Sequence, residues 1–285
     1  MDGRVAATPD GQLTSVPVLE ITSRPDSLRS WWLEVYRHLD VLIVLARKDF
    51  HTRYKRASLG LTWAVAVPVL QASIMAVVFS RVVRTGGGRG FGIYVMSGII
   101  AYSYFSTVLN SGVTSLVDGS SLTEKVWFPR ILLAVVPVLS NVVGLVVTSA
   151  VLLVVMPVLG VGYKPQLVLL LPGILLLAAF VTGLSLCVSA LNVYFRDVKF
   201  LVLAALLVWM YVTPIVYPMS VLGGLKFIAE ANPLTGVVSL FHMATVGSRG
   251  PWVVPLIVSL CTTFFLLVVG TEAHRRHDRL FVDLL

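Results

Sequence analysis

The feature that most constrains this chain is a series of long stretches without one charged side chain. They are Ala57–Ser80, Gly90–Val117, Ile131–Tyr163, Pro165–Phe195, Phe200–Leu225 and Pro251–Thr271. A hydrocarbon core of about 30 Å is crossed by roughly 20 apolar residues in a helix. Lipid tolerates only helices or closed barrels as spanning structures, because every backbone polar group needs an internal partner. These runs are too long and too evenly apolar for barrel strands, so they predict helices. Of the 285 residues 57% are hydrophobic and 13% are charged, against about a quarter charged in soluble domains. A soluble fold of this length has too little interior for that apolar surface. The expected class is an all-α integral membrane protein.

Charge placement predicts the topology. Arg29, Arg37, Arg47, Lys48, Arg53, Lys55 and Arg56 precede the first run, and Arg275, Arg276 and Arg279 follow the last. Cations concentrate on the cytoplasmic side, so both termini are expected there, which requires an even number of crossings. Six transmembrane helices satisfy this. The remaining apolar stretch, Ala231–Ser248, is then no seventh crossing, and Val216–Gly247 is expected as a re-entrant outer hairpin of two half-helices between spans five and six. An ordinary outer loop carrying one amphipathic helix is the alternative. The net charge of +8 is read as membrane orientation, with no nucleic acid as partner. The arginines around Gly86–Gly88 fall on the outer side, where a tight turn is the simplest reading. Cys187 and Cys261 lie inside apolar runs and imply no disulfide framework.

Residues 1–29 are polar, with Pro9, Pro17 and Pro25 and no early apolar core. A disordered cytoplasmic tail is expected there. In residues 30–56, Trp32, Val35, Tyr36, Leu39, Ile43, Ala46 and Phe50 recur every three or four positions among charged residues. That pattern predicts an amphipathic helix lying in the membrane interface. Residues 57–274 form the transmembrane domain, and 275–285 a short cytoplasmic tail.

What the runs lack bears on function. No Asp or Glu sits within them, whereas intramembrane carboxylates mark proton and ion relays. His242 is the one titratable residue in a membrane-depth stretch, and a lone His suits packing better than relay chemistry. There is no G-x-x-x-x-G-K-[ST] loop, metal-spaced His/Cys set or catalytic triad. The chain therefore reads as neither an enzyme nor a self-powered pump. Any uphill transport needs a partner to supply energy. The loop "DGSSLTEKVWFPR" (Asp118–Arg130) offers a docking place. Asp118 or Ser120 caps a short helix, and Trp127–Phe128 form an apolar tip between Lys125 and Arg130. Interfacial belt aromatics fit Trp127 and Phe128 equally well.

"ARKDFHTRYKRASLGLTWAVAVPVLQ" (Ala46–Gln71), "LTEKVWFPR" (Leu122–Arg130), "NVYFRDVKFLV" (Asn192–Val202), "TPIVYPMS" (Thr213–Ser220) and "NPLTGVV" (Asn232–Val238) resemble, in order, the landmarks of ABC-2-type permeases that export polysaccharides. That family includes O-antigen, teichoic acid and capsule exporters. The Val/Ala/Gly/Arg-rich usage is further similar to actinobacterial permeases for lipid-linked cell-wall galactan. The resemblance covers roughly residues 30–274. It implies a homodimer in the cytoplasmic (inner) membrane with two copies of a separate ABC ATPase, which bind the ATP and magnesium; this chain itself holds no cofactor. It also implies a polyprenyl-diphosphate-linked glycan as substrate, an interface helix, a coupling helix over Ser120–Phe128, and an outer gate formed by the hairpin.

From that resemblance the site expectations follow. Glu124, Lys125, Trp127 and Phe128 couple to the ATPase. Tyr102, Tyr104, Phe105, Trp209, Tyr211 and Tyr217 line a glycan channel, because sugar C–H faces stack on rings without committing to one hydroxyl pattern. Arg47, Lys48, Arg53, Lys55 and Arg56 receive the lipid diphosphate, with attraction to anionic membrane lipids as the competing role. Alternatives are an ABC-2 exporter of a drug or simple lipid, a membrane-embedded lipid-linked sugar transferase, and a non-transporting assembly subunit.

Overall fold

A computed structural model of the chain describes residues 6–7, 13–14, 28–54, 60, 62–82, 90–123, 128–248 and 250–277. Apart from a two-residue antiparallel ladder between Ala6–Ala7 and Leu13–Thr14, the described elements are helical. The helices α1 (Leu28–Arg37), which is amphipathic, and α2 (Leu39–Tyr54) come first. They are followed by α3 (Thr62–Val82), α4 (Phe91–Asp118), the short α5 (Ser120–Thr123) and α6 (Ile131–Val158). A 3-10 turn at Pro165–Leu169 leads into α7 (Leu170–Tyr194), and α8 (Val198–Val212) follows. A second 3-10 turn (Met219–Leu225) precedes α9 (Lys226–Ala231), α10 (Pro233–Val246) and α11 (Val253–His277). Most of the tail expected over residues 1–29 lies outside the described residues, as does 278–285.

Among the described residues, four segments are long and apolar enough to cross a membrane: Phe91–Asp118, Ile131–Val158, Pro165–Tyr194 and Val253–Arg276. Helix α3 adds 21 residues with Pro68 inside it. The centre is α4, which packs against α3, α6, α7, α8 and α10. Its Phe105 is fully buried, with Phe180 of α7 stacked at 5.8 Å and Trp209 of α8 edge-on at 5.1 Å. Small residues let the backbones approach. A Cβ on Gly183 of α7 would meet Leu266 and the Leu267 backbone nitrogen of α11 at 2.9 Å. At one end of the bundle a second cluster joins Trp31, Val35 and Leu42 of α1–α2 to Leu116, Phe128, Leu132, Leu186 and Val193.

Three expectations are corrected. The helix expected over 30–56 breaks at His38, between α1 and α2. Its protein-facing stripe is Trp31, Val35, Leu42 and Ala46, all buried, while Trp32, Tyr36 and Ile43 are exposed. The expected apolar stripe thus divides: Val35 and Ala46 pack against the bundle, while Trp32, Tyr36, Leu39 and Ile43 stay exposed. The third run ends as helix at Val158, before Gly160 turns the chain at φ 76. The fifth run, Phe200–Leu225, does not continue as one helix: α8 stops at Val212. Thr213 adopts extended backbone with ψ 132, which Pro214 favours in the residue before it.

Candidate functional site

Where α2 meets the bundle, a charged residue faces inward. Asp49 Oδ2 accepts a 2.6 Å hydrogen bond from the Ser140 hydroxyl of α6 and lies 3.3 Å from Arg53 Nη2, one turn along α2. Arg53 Nη2 also donates to Ser111 Oγ of α4 at 3.3 Å. The helical i, i+4 spacing places Asp49 and Arg53 on one face, and that face is turned toward α4 and α6. Beside the junction lies a cavity of about 510 Å3, lined by Lys48, Asp49, Thr52 and Arg53 of α2, by polar residues of α4 and by Pro137 of α6. Of the expected cation set, Arg53 is half-buried in this junction, Lys48 is exposed at the cavity wall and Arg47 is exposed. Lys55 and Arg56 lie outside the described residues.

The loop after α4 gives only a partial picture. The helix Ser120–Thr123 is present, and Glu124, Lys125 and Trp127 lie outside the described residues. Phe128 is 5% exposed and belongs to the cluster with Trp31 and Leu42. Instead of forming a free tip, its ring is held beneath the N-terminal helices. Pro129 favours extended backbone at this residue, which lets the ring fold back.

The expected aromatics divide into two groups. Tyr102 and Tyr104 are buried, their hydroxyls donating to the backbone carbonyls of Leu206 and Val138, and Phe105 packs in the centre. Tyr211 is 70% exposed and Trp209 and Tyr217 are half-buried. The Tyr217 hydroxyl donates to the Tyr211 carbonyl at 2.6 Å. Trp209 Nε1 donates to Asn232 Oδ1 at 2.8 Å, and Asn232 Nδ2 donates to Thr213 Oγ1 at 2.9 Å. Asn232 Oδ1 also accepts from the Leu234 backbone at 3.0 Å, capping α10, whose first residue is Pro233. Asn before Pro suits an N-cap followed by a first turn that needs no N–H. One side chain thus joins the end of α8 to the start of α10.

Helix α10 is buried along most of its length between α4, α7 and α11. Its His242 ring stacks on Tyr94 of α4 with centroids 3.6 Å apart. A Cβ on Gly98 would lie 2.9 Å from His242 Nε2 and 3.0 Å from the Ile215 carbonyl oxygen. Gly98 is therefore what allows α10 and the 213–218 segment to seat against α4. The Tyr94 hydroxyl donates to the Tyr217 carbonyl at 3.1 Å, closing the same contact.

Residues 40–246 match the ABC-2 type transporter family, from α2 to the end of α10. The chain belongs to the ABC-2 type transporter family. Proteins named O-antigen export system permease protein RfbA are similar to it. One, from Myxococcus xanthus, is 26% identical over 257 residues, covering 88% of this chain and 97% of the relative. Two from Klebsiella pneumoniae are 28% and 29% identical over 257 residues, each covering 86% of this chain and 95% of the relative.

Two residues of this ABC-2 transporter chain stand out only in three dimensions. Asp49 lies in sequence among Arg47, Lys48 and Arg53 and reads there as part of a solvated charged face. Asn232 carried a signal, Asn-Pro opening an apolar stretch, but its bond to Trp209 spans a separation that no local pattern encodes.

Proposed function

We propose that this ABC-2 chain is the permease subunit of an ATP-driven exporter. It moves a lipid-diphosphate-linked polysaccharide from the cytoplasm to the outer face of the cytoplasmic membrane. The observation that carries this reading is the similarity, over nearly the whole length of both partners, to proteins named as O-antigen export permeases. In this reading the chain is not an enzyme. It works as a homodimer, with two copies of an ABC ATPase holding ATP and magnesium beneath it. Six helices cross the membrane, α3, α4, α6, α7, α8 and α11, with both termini cytoplasmic and α1–α2 in the interface.

The segment from Val216 to Gly247 is then the re-entrant outer hairpin. Its α10 has 14 residues, about 21 Å at 1.5 Å per residue, too short to span and buried by its neighbours. Tyr211, Trp209 and Tyr217 present ring surface to the glycan, while Tyr102, Tyr104 and Phe105 stand behind them. Arg47, Lys48 and Arg53, with Lys55 and Arg56, receive the diphosphate from the cytoplasmic side. Glu124, Lys125, Trp127 and Phe128 pass the ATPase stroke to the bundle, Phe128 through its contact with the N-terminal helices.

The test is reconstitution with the cognate ATPase in proteoliposomes. ATP-dependent appearance of lipid-linked glycan on the face opposite the ATPase is expected. ATPase stimulation by a simple lipid or a hydrophobic drug, and not by lipid-linked glycan, overturns the substrate assignment.

A further inference from the structure

Helix α2 packs along α6 and only sparsely against α4, with the cavity of about 510 Å3 lying between α2 and α4. A hydrogen bond ties it to each neighbour, and the two ties differ in kind. Asp49 Oδ2 accepts from the Ser140 hydroxyl of α6 at 2.6 Å, and Ser140 is buried. A charge-assisted bond that short, sheltered from water, is a strong one. Arg53 Nη2 reaches Ser111 Oγ of α4 at 3.3 Å, from a side chain that stays 28% exposed. That length lies beyond the usual N–H···O range, so the second tie is weak.

Ser140 stands one turn beyond Pro137, whose missing N–H interrupts the hydrogen-bond ladder of α6. A pull at Ser140 therefore acts where α6 bends most readily. On the other side, Lys48 and Arg53 face the cavity, and Lys48 has no acidic partner among the described residues. A diphosphate offers both of them charged oxygens, and a guanidinium binds phosphate through two parallel N–H donors. The neutral hydroxyl of Ser111 cannot compete with that.

We propose that Ser140 is the pin on which α2 turns and Ser111 the latch that keeps it from turning: a diphosphate in the cavity takes Arg53 from Ser111, and α2 is then held at α6 alone. This rests on the exporter reading and gives the diphosphate-receiving cations a second task, signalling that substrate has arrived. The signal has a route toward the ATPase. Leu42 of α2 shares a buried cluster with Phe128, at the end of the loop proposed to dock that subunit. Ser111 and Ser140 are positioning residues, and neither needs to touch the glycan.

The test follows ATP hydrolysis and export by the complete complex in phosphatidylcholine proteoliposomes. Lipid-linked glycan is the substrate, and farnesyl diphosphate is a probe that carries the diphosphate without sugar. Ser111→Ala opens the latch. Basal hydrolysis should rise about three-fold, the scale of one weak hydrogen bond. The farnesyl diphosphate concentration for half-maximal stimulation should fall by up to the same factor, with the stimulated ceiling kept. Ser140→Ala removes the pin, so the ceiling and export should fall several-fold while the half-maximal concentration stays. Ser111→Thr and Ser140→Thr keep the hydroxyls and should restore the parental values. Loss of complex yield and thermal stability in both Ala variants, without this split between concentration and ceiling, overturns the proposal. So do parental constants in either Ala variant, and so does equal stimulation by phosphatidylglycerol with no diphosphate present. In each of these cases the exporter reading stands if the parent complex moves glycan. If the parent moves none and neither compound stimulates its hydrolysis, both readings fall.

Discussion

The indole N–H of Trp209 and the side-chain carbonyl of Asn232 meet at 2.8 Å across the break between α8 and α10. The bond fixes where the chain turns, because the same Asn232 oxygen caps α10. Asn232→Leu removes a helix cap worth about 1 kcal/mol and strands an indole donor. The expected result is a lower thermal inactivation midpoint of the purified complex and slower export. Asn232→Asp keeps the acceptor for Trp209 and Leu234 but loses the Nδ2 donor to Thr213, so it should recover only part of both. Equal loss in the two variants would count against the hydrogen bond as the cause.

Gly236 allows α10 to touch α11. A Cβ there would collide with the Pro255 carbonyl and the Ser259 hydroxyl, whereas one on Gly162 meets nothing within 4 Å. Gly236→Ala should destabilise the bundle by about 1–3 kcal/mol, the scale of overpacking, and Gly162→Ala should leave it unchanged. Thermal aggregation of the detergent-solubilised complex distinguishes the two.

Asp49 competes for Arg53 with any anion that enters the cavity. Both partners are part-exposed, so the pair is weak, within about 1 kcal/mol. Asp49→Asn should therefore tighten the apparent affinity for a diphosphate-bearing substrate by up to about five-fold. Arg53→Glu should weaken it. Substrate titrations of ATPase stimulation measure both. A loss of affinity in Asp49→Asn would show that the pair acts as a structural clamp.

Phe128 is buried beneath α1 and α2. Removing a buried Phe ring costs about 3–5 kcal/mol, so Phe128→Ala should loosen the N-terminal helices, and proteolysis between residues 28 and 54 should accelerate. ATPase co-purification should fall in parallel. Phe128→Leu should preserve most of both. Protease resistance unchanged in Phe128→Ala would mean the cluster does not hold these helices.

Tyr211 and Tyr102 test the proposed division between glycan wall and support. Tyr211 is 70% exposed, whereas Tyr102 is buried and tied to the Leu206 carbonyl. Tyr211→Ala should slow export without shifting thermal stability, and Tyr102→Ala should lower stability first. A stability loss in Tyr211→Ala would place its ring in an interface between subunits.

Much of the helical layout was legible because hydrocarbon imposes a length on every apolar run. Phe91–Asp118 follows its charge-free stretch closely, and Val253–His277 starts within its own but runs past Glu272, Arg275 and Arg276. The failures came where two environments look alike to a hydropathy pattern. Trp31 and Trp32 are adjacent and equally apolar, yet one is buried and the other exposed, since protein and lipid both accept indole. Pro214 and Pro218 marked the end of α8, but an uninterrupted lack of charge outweighed them. The buried places of Tyr102, Tyr104 and Phe105 depend on helix rotation, which composition leaves open.

The brevity of α8 has a consequence for the surrounding lipid. Its 15 residues reach about 22 Å, roughly 8 Å less than an ordinary bilayer interior. In the proposed six-crossing topology, nearby acyl chains tilt or compress to cover it, and the bilayer is thinned beside α8. The lipid anchor of the proposed substrate would then cross less oil beside α8 than beside the longer helices.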